Sequence, residues 1–354
     1  VTTDHPPRVH HITGAPPEFW YRDLASCLQA AFGSVLLRAG HDPLEVLGTA
    51  WQFLYRPGEV RSEEFYFPTR YEGDLGRGIA PHHPLTSAWR TPDDPADPLA
   101  GLRAALDADR LVIAAVDNHH LPFRPAYHDV HAAHLVTVFG LDEHRGLVHV
   151  ADATPPAFRG AVPLEAFLAA WGSANPSDVQ DAFFSDSRIG RRWLDVRVGG
   201  PYPETTPARL AAVLRADAEL FTTGKADGPD GAAGLAGLAR FTEELVDRSR
   251  AGDPAAIRDL YPFGWGMQAQ ASLHGELLRR LGAAWRLPVL AGAGRAVETV
   301  AHAWTGVRMT GAHGRDDPAA AAAGLARHTA VLRRRYAEAV EAVHEALDAL
   351  PAPA

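Results

Sequence analysis

From Cys27 onward the apolar residues Leu28, Ala31, Phe32, Val35 and Leu36 recur at three- and four-residue spacing, which predicts a core-facing amphipathic helix. Asp23 and Ser26 are N-cap residue types just ahead of it, and Gly40 is a natural stop. Asp42-Pro43 predicts a second short helix, with the aspartate as cap and the proline in the first turn. Residues 56–98 are rich in turn residues, with Glu64-Phe-Tyr-Phe as a strand among them and His82-His83, between prolines, as surface loop. A helix over Pro98–Asp107 feeds an aliphatic strand over Leu111–Val116. Ala133–Gly140 is β-branched and aromatic, Leu147–Asp152 alternates, and the segment between them has hairpin length. A short helix over Leu164–Trp171 and a strand over Arg192–Val198 complete this half.

After Gly199-Gly-Pro-Tyr-Pro the pattern changes. Strand signals nearly vanish, and helical periodicity predicts helices near 206–222, 232–250, 254–260, 266–284, 294–305 and 317–348. The expectation is an α+β domain with an antiparallel sheet over residues 1–200, opened by an extended arm over 1–18, and an all-α domain over 201–354. A length of 354 residues agrees with two cores.

Composition removes several functions. Net charge is −9, so no global basic field supports nucleic-acid binding. Neither a basic-then-apolar leader nor an apolar run of spanning length is visible, which reads as a cytoplasmic protein without a membrane partner. A single cysteine, Cys27, excludes internal disulfides, cysteine zinc clusters and iron–sulfur sites. The single lysine, Lys225, sits in a Gly- and Asp-rich loop, which argues against Schiff-base, Ser-Lys and P-loop chemistry.

The remaining chemistry centres on Cys27. A thiol in the first turn of a helix meets unpaired N–H groups and the positive end of the dipole, an environment that favours thiolate. A buried, inert cysteine is the competing reading. Pairing Gly140 with Gly146 in the hairpin sets His134 directly opposite Asp152, within reach of a hydrogen bond. A one-residue slip would put the two on opposite faces. Cys27, His134 and Asp152 then supply a nucleophile, a base and a group that orients the base. A metal site is the rival, built from His119, His120, His128, His131 and His134 with Asp129. Its spacing matches neither the two-histidine helical motif nor a facial-triad pattern, and solvated loop histidines explain it better; no metal is expected.

Cys27-Leu-x-Ala-Ala, Gly40, Leu47-Gly48, Val116-Asp117-x-x-x-Leu-Pro-Phe, Ala133-His-Leu-Val-Thr-Val-Phe-Gly, Val150-Ala-Asp and Ala170-Trp171 together resemble the N-terminal domain of the butirosin-biosynthesis acyltransferase family. The helical half resembles the C-terminal domain that accompanies it. The resemblance implies a papain-like fold, with Cys27, His134 and Asp152 on the thiol, imidazole and acid positions. It also implies transfer of an acyl group from the phosphopantetheine thioester of an acyl carrier protein to a small-molecule amine, with no intrinsic cofactor, in antibiotic biosynthesis. Papain-like enzymes often carry an oxyanion glutamine before the cysteine, whereas this segment reads Phe19-Trp-Tyr-Arg-Asp-Leu-Ala-Ser26. Trp265, Gln268 and Gln270 are the pocket candidates in the helical half. Hydrolysis of the thioester or an amide, cyclisation, and a non-catalytic binding protein stay open as alternatives.

Overall fold

A computed structural model of the chain describes residues 9–57, 71, 73–224 and 231–351. The strand expected at Glu64–Phe67 and the Lys225 loop lie outside the described residues. In chain order the first elements are β1 (Val9–His11), α1 (Cys27–Arg38), α2 (Pro43–Leu47), β2 (Leu54–Tyr55), α3 (Leu75–Ile79), β3 (Leu85–Arg90), α4 (Ala100–Asp107) and β4 (Val112–Asp117). Then follow β5 (Ala133–Asp142), β6 (Leu147–Asp152), β7 (Phe158–Pro163), α5 (Leu164–Gly172) and β8 (Trp193–Val198). The helical part comprises α6 (Pro207–Thr223), α7 (Gly234–Arg250), α8 (Pro254–Ala284), α9 (Pro288–His313) and α10 (Pro318–Asp348), with β9 (Ala232–Ala233) ahead of α7. The class is α+β followed by all-α. No described helix is long and apolar enough to cross a membrane.

The chain forms two compact units whose segments interleave. One comprises Val1–Tyr21, Cys27–Gly40 and Ser87–Val198; the other comprises Arg22–Ser26, His41–Thr86 and Gly199–Ala354. The linker at Gly199 marks the last switch, but His41–Thr86 groups with the helices.

The first unit is built on a sheet in the order β3-β8-β4-β5-β6-β7, with β1 also pairing β5. The β4–β5, β4–β8, β5–β6 and β6–β7 pairs are antiparallel. β4 and β5 are buried at every position, as central strands covered on both faces are. Helix α1 faces the core as its spacing predicted, but it is buried at every position from Leu28 to Leu36 and not along the apolar stripe alone. It packs against β5. The small residues Ala30, Ala31 and Ser34 face Leu135 and Thr137 across a small cavity, and their size lets helix and strand approach closely. Gly33 packs against Trp20, with no room for a Cβ between them.

The second unit has an aromatic centre. Trp304 Nε1 donates to the Tyr336 hydroxyl at 3.0 Å, and Trp51, Phe53, Phe241 and Phe263 complete the cluster. Here the helices run longer than their patterns predicted: 254–260 and 266–284 are one helix, α8, with Pro262 inside it. Pro262 removes the donor for the Arg258 carbonyl four residues back. Arg258 is exposed, so water can serve that carbonyl. Two expectations of solvated loop fail: His83 is buried and stacked on Tyr202, and His82 bonds the buried Asp217. Strands β1, β3 and β7 carried no sequence signal strong enough to predict them.

Candidate active site

Cys27 opens α1 and is half-buried. It therefore sits at the positive end of the helix dipole. His134 lies near the start of β5 and Asp152 at the end of β6, and the His134 Nε2–Asp152 Oδ2 distance is 2.8 Å. The Cys27 thiol is the other hydrogen-bond partner of the imidazole. With Nε2 engaged by the carboxylate, Nδ1 is left to face the sulfur. The structure thus brings all three residues together.

The hairpin register differs from the expected one in an instructive way. Near the turn Asp142 pairs with Leu147 and Gly140 with His149, an odd displacement from the expected ladder that would carry Asp152 to the wrong face. A bulge between Val138 and Gly140 then shifts the register by one, so Thr137 pairs with Ala151. Extended to the strand end, Val136 opposes Asp152 and His134 sits one pleat further along. The net displacement is even, so both side chains share a face and meet diagonally. The facing reading holds; direct opposition does not.

The acid is held more firmly than the sequence suggested. Asp152 is 3% exposed. Its Oδ2 also accepts from Arg124 Nη1 at 3.0 Å, and its Oδ1 from the Thr154 N–H at 2.9 Å. Arg124 reaches on to the Thr154 carbonyl at 3.1 Å. Burial pushes the Asp152 carboxyl up, but the His134 charge and hydrogen bond, then Arg124 and the Thr154 N–H, outweigh it and hold the group below the usual carboxylate range. Burial likewise opposes charge on His134, yet Asp152 and then the Cys27 thiol raise its pKa to about 9. The imidazole is therefore set to be cationic at neutral pH.

Arg124 is the residue that sequence reasoning missed. It follows the quoted Leu-Pro-Phe segment, within the loop joining β4 to β5. Both ends of that loop are tied to one buried carboxylate, Asp117, which is 0% exposed. Asp117 Oδ1 accepts from the N–H groups of His119 at 3.0 Å and Ala132 at 3.2 Å. Its Oδ2 accepts from His131 Nδ1 and Ser173 Oγ, each at 2.7 Å. Burial raises the Asp117 carboxyl, but these hydrogen bonds together bring it below its ordinary value. A fixed loop carries a fixed guanidinium to Asp152.

The loop histidines are not freely solvated, as the sequence had implied. His119 stacks on His131 with ring centroids 4.0 Å apart, and His131 spends Nδ1 on Asp117. Among the described residues no three His, Cys, Asp or Glu side chains are placed to share a metal ion.

Trp265, Gln268 and Gln270 all lie on α8, in the helical unit. Gln268 is buried, with Oε1 accepting from Arg308 Nη1 at 2.8 Å and Thr305 Oγ1 at 3.2 Å. Gln270 is buried too, and its Oε1 accepts from the Gln52 N–H at 2.8 Å. Trp265 is half-buried, with its ring against the Arg308 guanidinium.

Residues 26–153 match the family model described as butirosin biosynthesis protein H, N-terminal. That span contains Cys27, Arg124, His134 and Asp152 and ends before the helical half. No curated protein matches the chain.

Proposed function

We propose, on the match to the butirosin biosynthesis protein H N-terminal model and on the hydrogen-bonded series Cys27–His134–Asp152, that the protein is a cysteine acyltransferase of antibiotic biosynthesis. In this reading the Cys27 thiolate, paired with the His134 imidazolium, attacks the thioester carbonyl of an acyl group carried on the phosphopantetheine of an acyl carrier protein. The tetrahedral oxyanion forms beside the Cys27 backbone N–H, at the positive end of α1, in the absence of the papain-like glutamine. As the carbonyl re-forms, the carrier sulfur leaves with the His134 proton. An amine then attacks the Cys27 acyl-enzyme and gives its proton to the now neutral imidazole, and Cys27 departs as thiolate. Asp152 fixes the Nδ1 face of His134 toward sulfur and stabilises the imidazolium. Exchange of one thioester for another is nearly balanced in energy, so positioning accounts for most of what the protein must supply.

The observation that carries this reading is the paired imidazole. A nucleophile needs a base within reach and a third group orienting that base, and all three are buried or half-buried together. The test is product analysis with an acyl-pantetheine thioester and a panel of amines. Amide formation that depends on Cys27 supports acyl transfer. Free acid formed in the presence of every amine overturns it in favour of hydrolysis, and a ring product points to cyclisation.

A further inference from the structure

The helical unit buries a cation that the acyl-transfer reading does not use. Arg308, on α9, is 7% exposed. Its guanidinium carbon lies 4.3 Å from the centre of the Tyr261 ring and 4.4 Å from that of Trp265, and the two rings meet at 85°. The guanidinium therefore sits in an aromatic corner whose two walls are half-buried. Nη1 donates to Gln268 Oε1 at 2.8 Å, and Nε donates to the Tyr261 carbonyl at 3.3 Å. Thr305 Oγ1 donates to the same Gln268 oxygen, which fixes that amide as an acceptor toward the arginine.

Among the described residues no carboxylate pairs with Arg308. Burial pushes its guanidinium down from its ordinary value, and the Tyr261 phenol is the group that opposes it. Buried arginines are ordinarily matched by an acid, because ring faces and neutral oxygens recover only part of the lost hydration. The contacts to Gln268 and to the Tyr261 carbonyl use Nη1 and Nε, and the Tyr261 phenol adds a further hydrogen bond, all from neutral groups. An oxyanion would be the first charged partner this fork meets among the described residues. The backbone is cut to fit: a Cβ on Gly264 would lie 2.8 Å from Arg308 Cγ. Tyr261, Gly264, Trp265 and Gln268 recur along one face of α8 at helical spacing and build the corner together.

We propose that Arg308, held in the Tyr261–Trp265 corner by Gln268, anchors a binding subsite for the oxyanion group, carboxylate or phosphate, of a small-molecule ligand. The subsite stands on the helical unit alone and does not depend on the acyl-transfer reading.

Isothermal titration of the full chain at low ionic strength with sodium acetate and, separately, inorganic phosphate tests this, with sodium chloride as control. Wild type should bind at least one oxyanion saturably, and which one binds distinguishes carboxylate from phosphate recognition. Arg308→Lys keeps the charge but loses the planar fork, and should weaken binding by roughly tenfold or more. Gly264→Ala displaces the arginine stem without touching the charge and should weaken binding as well. In anion-free buffer Arg308→Met should melt no lower than wild type, because it removes a buried, unmatched charge. The proposal is overturned if wild type binds neither oxyanion above the chloride control. Equal binding by wild type, Arg308→Lys and Gly264→Ala overturns it too. So does an anion-free Arg308→Met that melts lower or fails to fold, which would mark the arginine as a structural brace.

Discussion

Replacing Asp152 with asparagine removes the charge that holds the His134 proton while keeping a hydrogen-bond acceptor in its place. In the wild type the carboxylate and the Cys27 thiol raise His134 to about 9 against the opposing effect of burial. Without the carboxylate charge, burial is opposed chiefly by the Cys27 thiol, and the imidazole should fall toward its ordinary value of about 6.5. That drop is roughly 2.5 units, or about 3 kcal/mol of lost preference for the imidazolium. The sign follows directly. A group whose folded pKa is raised keeps its proton up to that pKa, so acylation that needs the imidazolium as proton donor declines above pH 9 in the wild type. In Asp152→Asn the same decline should begin near neutrality. There is a structural penalty as well. Oδ2 serves both His134 and Arg124, and Oδ1 serves the Thr154 N–H, so an amide nitrogen must meet one donor or the other. The assay is single-turnover acylation of Cys27 by a short acyl-pantetheine thioester, followed by intact mass from about pH 5 to about pH 10. Circular dichroism confirms that the variant is folded. An alkaline limb that stays in place in folded Asp152→Asn would refute the claim that Asp152 sustains the His134 charge.

Arg124→Met should destabilise the first unit by about 2 kcal/mol near neutral pH, because it removes one charge-assisted hydrogen bond to the buried Asp152, which keeps the His134 imidazolium. Asp152 contributes stability above its unfolded value of about 3.8 and loses it as pH falls through its depressed folded value. The gap between wild type and Arg124→Met, read from urea titrations, should therefore narrow in acid. Gly33→Ala places a methyl 2.5 Å from a Trp20 ring atom, and Trp20 is itself buried. Overpacking should outweigh the gain in helix propensity, for a net loss of about 1–2 kcal/mol in the same titration. A Gly33→Ala protein as stable as wild type would show that α1 has slack beneath it. Asp117→Asn should loosen the β4–β5 loop, seen as faster amide exchange over 118–132, with acylation by Cys27 slowed through the displaced Arg124.

Much of this site was legible in the chain because its parts are local. Cys27 begins a periodic apolar run, and His134 and Asp152 stand on two strands of one hairpin, where alternation alone decides which side chains share a face. The bulge at Phe139 was not legible. It depends on how β5 meets both β1 and β6, and it rescued a facing argument whose register was wrong. Arg124 escaped notice because a lone arginine in a Pro-rich loop looks like surface. Only the tether of Asp117 to Ala132 and Ser173, distant in sequence, shows where it points. His83 and the stacked imidazoles were misjudged for the same reason: flanking residues do not reveal burial by segments far along the chain. Pro262 misled in the opposite direction, since a proline signal was overridden by packing on both sides of it.

The central claim is that Cys27 carries the acyl group, and the absence of any other cysteine makes the measurement unambiguous. Wild-type protein exposed to an acyl-pantetheine thioester, then quenched in acid and weighed intact, should gain the mass of one acyl group on the peptide containing Cys27. Cys27→Ala should gain none and should form no product. Product formation by Cys27→Ala, or turnover by wild type with no acyl mass ever appearing on Cys27, would contradict the mechanism.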